Sequence, residues 1–205
     1  MTISAIILSG GRSSRFGGVH KPAVELGEAT VISRILGGVR TLDPSAEVWV
    51  AGSVEGLSAE EAGSVHHVRE EPEFAGPLAG IAAAGDGMRA ASTATEAASE
   101  TLVLAGDIPL ITPGHLRELV DACRGAGLPA TSSDGQGKTQ FLCAAWPREL
   151  LLSLLAEVGD PVDAAVRHLY AGVETIRVDV APGIIADFDT AEEFDRIRTR
   201  FDSEL

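Results

Sequence analysis

The chain has 205 residues, 45% hydrophobic and 22% charged, a balance that belongs to folded globular proteins rather than disordered or membrane-embedded ones. Thirty acidic residues against 16 Lys plus Arg give a formal net charge of −14, which argues against nucleic acid or an anionic membrane as a partner over any broad face. Cys123 and Cys143 stand far apart with no CxxC and no paired His, so neither a disulfide framework nor a structural zinc site is expected, and both are read as buried free thiols.

The first apolar run, Ser4 to Leu8, stops at Gly10-Gly11 and has no basic segment before it. It is too short for a membrane span and lacks the pattern of a signal peptide, so a cytoplasmic protein is expected. Further strands are predicted at Glu47 to Ala51, Val65 to Arg69, Thr101 to Ala105, Phe141 to Trp146 and Glu174 to Val180. These runs are rich in Val and Ile and do not alternate with polar residues, as suits strands buried on both faces. Residues 85–99 are polar and Ala-rich, either the continuation of a helix or a mobile connection. Thr112-Pro113 predicts an N-cap with proline at the first helical position, ahead of Leu116, Leu119, Val120 and Cys123 at helical spacing. Asp134 to Gln140 reads as a hairpin turn, and its Lys138 as an exposed loop lysine or a contact for an acceptor phosphate. Leu151, Leu154, Leu155 and Val158 mark another helix, and Thr190-Ala191-Glu192-Glu193 a capping box that opens the last one.

Strand and helix in alternation predict an α/β fold: one domain over residues 1–205, a three-layer αβα sandwich around a mostly parallel, Rossmann-like sheet. In such sheets the ligand crevice lies beyond the carboxyl ends of the strands, which directs attention to the residues that follow each one. His66 and His67 fall on opposite faces of their strand and do not suit a single site.

After the first strand come Ser9, Gly10, Gly11 and a segment running to Lys21 that carries Arg12, Arg15 and four glycines in all. No acidic residue occurs before Glu25, although acids outnumber bases almost two to one overall. Glycines that bring backbone N–H groups close to an anion, set among basic side chains, point to a phosphate-binding loop; the alternative is a solvated turn. Lys21 is one of only two lysines beside fourteen arginines, and its compact ammonium suits a point contact with a phosphate. The segment is neither a Walker A loop nor GxGxxG. Asp107, directly after a predicted strand and followed by Ile108-Pro109, is placed either to ligate Mg²⁺ or to form a turn that caps the next helix. Asp187-Phe188-Asp189 leaves a similar choice between metal ligation and capping.

Leu8-Ser9-Gly10-Gly11-x-Ser13-x-Arg15-Phe16-Gly17, with Lys21 beyond, resembles the LAGGxSxRMGxxK signature of the MobA-like nucleotidyltransferases, the molybdenum cofactor guanylyltransferases. Three further segments agree in order and spacing, so the resemblance covers nearly the whole chain. Gly76-Pro77-Leu78-Ala79-Gly80 is similar to the family's GPLAG, Asp107-x-Pro109 to its Asp-x-Pro, and Asp187 to Thr190 to its NxNTPED with aspartates in place of asparagines. The chain departs from the pattern at Ser9, Phe16 and His20, the last standing where an aspartate commonly precedes the lysine.

The resemblance implies a fold of the nucleotide-diphospho-sugar transferase type and a loop, Leu8 to Gly11 with Lys21, wrapped around a triphosphate. Arg15 would support the departing pyrophosphate. Asp107, with Asp189, would hold Mg²⁺; Gly76 would lie near the nucleotide; and Glu71, with Glu70 as the alternative, would receive hydrogen bonds from the base or ribose. Glycine at position 10, where similar cytidylyltransferases carry LAAG, favours GTP over CTP. The expected reaction moves GMP from GTP to the phosphate of a molybdopterin-type acceptor, in a monomer or weak homo-oligomer. A CTP-using or other-acceptor enzyme of the same fold, and a nucleotide-binding module without turnover, are the competing readings.

Overall fold

The computed structural model describes residues 2–11, 18–91, 98–134, 139–181 and 183–203. Its centre is a seven-stranded sheet of β1 (Ile3–Ser9), β4 (Glu47–Gly52), β5 (His66–Val68), β6 (Glu100–Ala105), β7 (Ala130–Ser133), β8 (Thr139–Pro147) and β9 (Ile176–Asp179). The spatial order is β5-β4-β1-β6-β8-β7-β9. Neighbouring strands run parallel except for β8, which is antiparallel to both β6 and β7. A short hairpin, β2 (Glu25–Leu26) with β3 (Ala29–Thr30), stands apart from the sheet.

Side chains alternate across β1. Ile3, Ala5 and Ile7 join a core shared with helices α1 (Val31–Leu42), α4 (Pro113–Ala126) and α6 (Ala191–Ser203), while Ile6 enters a second core with α3 (Pro77–Ala91) and α5 (Arg148–Glu157). The central strands are therefore covered on both faces, which is why they show continuous rather than alternating hydrophobicity. The edge strands β5 and β9, expected to be buried on both faces, are instead largely exposed (β5) and half-buried in alternation (β9), because each has a neighbour on one side only. The predicted α/β, three-layer, mostly parallel architecture is the one observed. A short helix, α2 (Ala59–Gly63), lies between β4 and β5, and a 3₁₀ helix spans Val166–Tyr170. No helix among the described residues is long and apolar enough to cross a membrane.

Several local expectations hold for physical reasons. Thr112 caps α4 by accepting from the His115 backbone N–H, with Pro113 at the first position. At α6, Glu193 N–H donates to Thr190 Oγ1 while the Glu193 carboxylate accepts from Thr190 N–H, a reciprocal cap. The helix from Pro77 continues to Ala91, which covers the first part of the Ala-rich stretch; residues 92–97 lie outside the described residues. Cys123 and Cys143 are buried free thiols whose pKa burial pushes up to about 12, so neither is poised to react.

Strand β7 and helices α1 and α2 have no counterpart in the sequence reading. β7 is Ala130-Thr131-Ser132-Ser133, which lacks any Val or Ile run, yet all four residues are buried. Ser132 shows how a polar strand is accommodated: its Oγ donates to Cys143 O at 2.8 Å and lies 2.7 Å from His115 Nε2. The hydroxyl has one proton, so the imidazole is the donor in the second bond.

Burial holds the His115 pKa below its usual value, against the opposing pull of Glu118. The unfolded chain therefore takes up the proton first as pH falls below about 6.5. This linkage lowers stability from there down to the folded pKa and is absent above it. Denaturant melts of the wild type and His115→Gln at pH 7.5 and pH 5 check this: the loss of stability on acidification should be smaller in the variant.

Candidate active site

The register of the central strands brings the first loop and Asp107 together. Leu8 on β1 stands opposite Ala105 on β6, and Gly106 N–H donates to Leu8 O at 2.8 Å just past the strand ends. A Cβ on Gly106 would lie 2.5 Å from that same oxygen, so only glycine lets the two chains stay this close. On the other flank, Gly52 ends β4 with φ +120°, and a Cβ there would lie 2.4 Å from Gly10 N. Loops after β4, β1 and β6 thus meet around the Gly10-Gly11 backbone.

A cavity of about 490 Å³ opens there. Leu8, Gly10, Gly11, Lys21, Gly76, Asp107 and Asp189, all singled out in the sequence, line it. Ser9 does not. It lines an adjoining hollow of about 190 Å³, and its buried Oγ donates to Ser53 O. Glu71 lines neither space. Glu70, the alternative weighed with it, borders both, and its Oε1 accepts from Phe74 N–H at 3.0 Å. Arg15, with the rest of 12–17, and Lys138 lie outside the described residues.

Lys21 is the electrostatic centre. A 3₁₀ turn, Lys21–Ala23, presents its ammonium 3.4 Å from Asp107 Oδ2 and 2.5 Å from Asp189 Oδ1. The Lys21 side chain is 13% exposed, Asp107 28% and Asp189 57%. Burial works against the lysine charge, but the hydrogen bonds and fields of Asp189 and Asp107 outweigh it and hold the pKa above its ordinary value. The Asp107 pKa is raised as well, which for a carboxylate disfavours the charged form. Burial raises its pKa, and the charges of Asp187 and Asp189 add to the rise against Lys21.

The Asp189 carboxylate reaches Lys21 because Thr190 and Glu193 perform the capping. Between the two aspartates, Phe188 is buried against Phe194, with ring centroids 4.8 Å apart, and its ring lies 5.6 Å from Lys21 Nζ. The aromatic anchor fixes the segment while its acidic neighbours face outward. Asp107 and Asp189 converge on one cationic point and offer hard oxygen donors, while burial and like charge leave Asp107 costly to ionise alone. That donor set fits a divalent cation such as Mg²⁺ or Mn²⁺. Gly76, with φ +93°, and Pro77 open α3 at the cavity wall, directing the positive end of that helix toward it.

Some of the wall carried no motif in the sequence. Ala51, Gly52 and Ser53 follow from the general rule about strand ends, whereas Leu142 enters because β8 runs antiparallel and brings its early residues to the same end of the sheet.

A mixed sheet of this order, covered on both faces and carrying a glycine loop, a lysine and an aspartate at the carboxyl ends of β1 and β6, defines an α/β nucleotidyltransferase fold. The chain belongs to the MobA-like NTP transferase domain family, which matches residues 5–176. No curated protein matches it.

Solved structures similar to it include Rv0371c from Mycobacterium tuberculosis H37Rv, at 19% identity and TM-score 0.72 over 96% of this chain and 97% of that one. A manganese complex of Rv0371c is similar at 17% identity and TM-score 0.69, covering 97% and 99%. Molybdopterin-guanine dinucleotide biosynthesis protein A from Archaeoglobus fulgidus matches at 17% identity and TM-score 0.69, covering all of both chains (100% and 100%). The 2-C-methyl-D-erythritol 4-phosphate cytidylyltransferase from Thermus thermophilus matches at 16% identity and TM-score 0.67, covering 98% and 100%. These likenesses establish the fold.

Proposed function

We propose that the protein, acting as one domain over its length, transfers GMP from GTP to the phosphate of a molybdopterin-type acceptor. The observation that carries this reading is the Lys21 ammonium held between Asp107 and Asp189 beside the Gly10-Gly11 backbone.

In the proposed reaction an acceptor phosphate oxygen forms a bond to the α-phosphorus of GTP, and the bond to the bridging α,β oxygen breaks as pyrophosphate leaves. A phosphate monoester is already anionic near neutral pH, so the residues have to position and neutralise rather than abstract a proton. On nucleotide binding, Lys21 exchanges its carboxylate partners for phosphate oxygens. The amides of Gly10 and Gly11 and the start of α3 face the same anion. Arg15 is assigned to the departing pyrophosphate. Asp107 and Asp189 would hold Mg²⁺, which supplies charge neutralisation at the phosphates when bound. Glu70 takes the base-recognition role in preference to Glu71, because it borders the cavity.

Incubation with molybdopterin cofactor, GTP and Mg²⁺, followed by mass analysis for the dinucleotide, tests the whole reading. Absence of pyrophosphate release with any triphosphate would overturn it in favour of a binding module. Transfer from CTP is the second reading, supported by the likeness to a cytidylyltransferase at nearly the same TM-score. A screen of four triphosphates separates the two.

Gly10→Ala probes the base preference. The new Cβ would lie 3.6 Å from Glu70 Oε1 and 4.0 Å from Ala51 O, ordinary contacts that the fold accepts. A methyl at the cavity wall is expected to reduce kcat/KM for GTP by about tenfold and to narrow or reverse the preference over CTP, as competition assays would read.

A further inference from the structure

The smaller hollow beside the main cavity is lined by one polar side chain, His20, with a buried atom that lacks a hydrogen-bond partner among the described residues. We infer that His20 is a specificity-determining residue whose imidazole hydrogen-bonds the nucleobase of the bound triphosphate, across the hollow from Glu70. This rests on the nucleotidyl-transfer reading and extends it to a position where the chain departs from its family's usual aspartate.

Backbone geometry separates two consecutive residues. His20 is extended, at φ −68° and ψ 104°, so Lys21 lines the main cavity while His20 lines the hollow. The two spaces share Gly10, Gly11, Glu70 and Phe74 among their lining residues and therefore adjoin. A triphosphate with its phosphates at Lys21 extends its nucleoside over the diglycine into the hollow.

The other polar groups there have partners. Ser9 Oγ donates to Ser53 O, and Arg69 pairs with Glu73 at 2.6 Å. His20 Nε2, by contrast, is buried without a hydrogen-bond partner among the described residues. A shielded polar nitrogen with no partner carries an uncompensated desolvation cost, which a ligand's hydrogen bond removes. χ2 of histidine is a broad torsion, so a bound ligand can draw a ring nitrogen toward the hollow that His20 lines. Burial lowers the His20 pKa despite the opposing field of Glu55, so near neutral pH the ring is uncharged, with one donor and one acceptor. A base presenting donors to the acceptor-only carboxylate of Glu70 and an acceptor to His20 completes the hollow. Guanine has that pattern, with its N2 amino group and its O6 and N7 acceptors.

Calorimetric titration of the full chain with the α,β-methylene analogue of GTP in the presence of Mn²⁺ tests this. His20→Ala is expected to weaken binding about tenfold, the worth of one neutral hydrogen bond. Pyrophosphate binding should stay within about twofold of wild type, and His20→Gln, which restores a donor and an acceptor, should recover most of the affinity. Should His20→Ala fail to fold, His20→Phe fills the same space without a ring nitrogen and carries the same expectation. Wild-type affinity in the Ala or Phe variant, or an equal loss for pyrophosphate and the nucleotide, would overturn the role of His20. Failure of the wild type to bind any triphosphate analogue would instead overturn the nucleotidyl-transfer reading, and this inference with it.

Discussion

Asp107→Ala is expected to lower metal-dependent pyrophosphate release at least a thousandfold while leaving the fold intact. Removal of a single preorganised electrostatic group commonly costs 10²–10³ in rate, and Asp107 is asked both to hold the cation and to orient it. Retention of the fold follows from the energetics of the corner. The Asp107 carboxylate is raised in pKa by burial and by Asp187 and Asp189, so its charge contributes little net stability in the free protein. Its deletion leaves Lys21 paired with Asp189 at 2.5 Å. Asp107→Asn, nearly isosteric, should be as inactive as the alanine variant, which separates charge from shape. Pyrophosphate release under saturating GTP, with thermal melting alongside, is the measurement. Unchanged turnover in either variant would remove Asp107 from the mechanism.

For Lys21→Ala the expected fall in kcat is roughly 10²–10³, because an ammonium poised against the triphosphate is lost where no other lysine of the described residues replaces it. This substitution acts on the free protein as well. Three carboxylates, Asp107, Asp187 and Asp189, are left to repel one another around a partly buried point. Stability without divalent ions should therefore drop, by about 1–3 kcal/mol. Because the ammonium occupies the point on which Asp107 and Asp189 converge, its removal should also tighten Mn²⁺ binding in the absence of nucleotide. Titration of Mn²⁺ by electron paramagnetic resonance reads this independently of turnover. A near-wild-type rate would exclude Lys21 from catalysis, and unchanged Mn²⁺ affinity would show that the carboxylates do not form the cation site.

The site was legible where chemistry and chain position coincide. Gly10-Gly11 and Asp107 each follow a strand end, and the rule that α/β crevices open beyond carboxyl ends groups them; Lys21, twelve residues past β1, was marked instead by the rarity of lysine and by the family resemblance. Asp189 was ambiguous, since an aspartate before a helix caps as readily as it ligates; the Thr190–Glu193 reciprocal cap is what directs its carboxylate to Lys21. The choice between Glu70 and Glu71 was beyond sequence reasoning, because consecutive residues in an irregular segment have no period to tell which one faces inward. His20 stood out in the sequence only as a departure from a pattern; its unpartnered nitrogen is a three-dimensional fact.

What the sequence by itself determined is six of the seven strands of the sheet, the caps of α4 and α6 and the α/β class, since hydrophobic runs and capping chemistry act over a few residues and depend little on distant partners. The tertiary structure alone decided the antiparallel course of β8, the inclusion of a polar strand at Ala130–Ser133 and the convergence of Lys21 with two aspartates 86 and 168 positions away. Those features depend on which strands become neighbours in the sheet. Such pairing is set by the energy of long-range burial and hydrogen bonding, to which a local stretch of sequence contributes only one side.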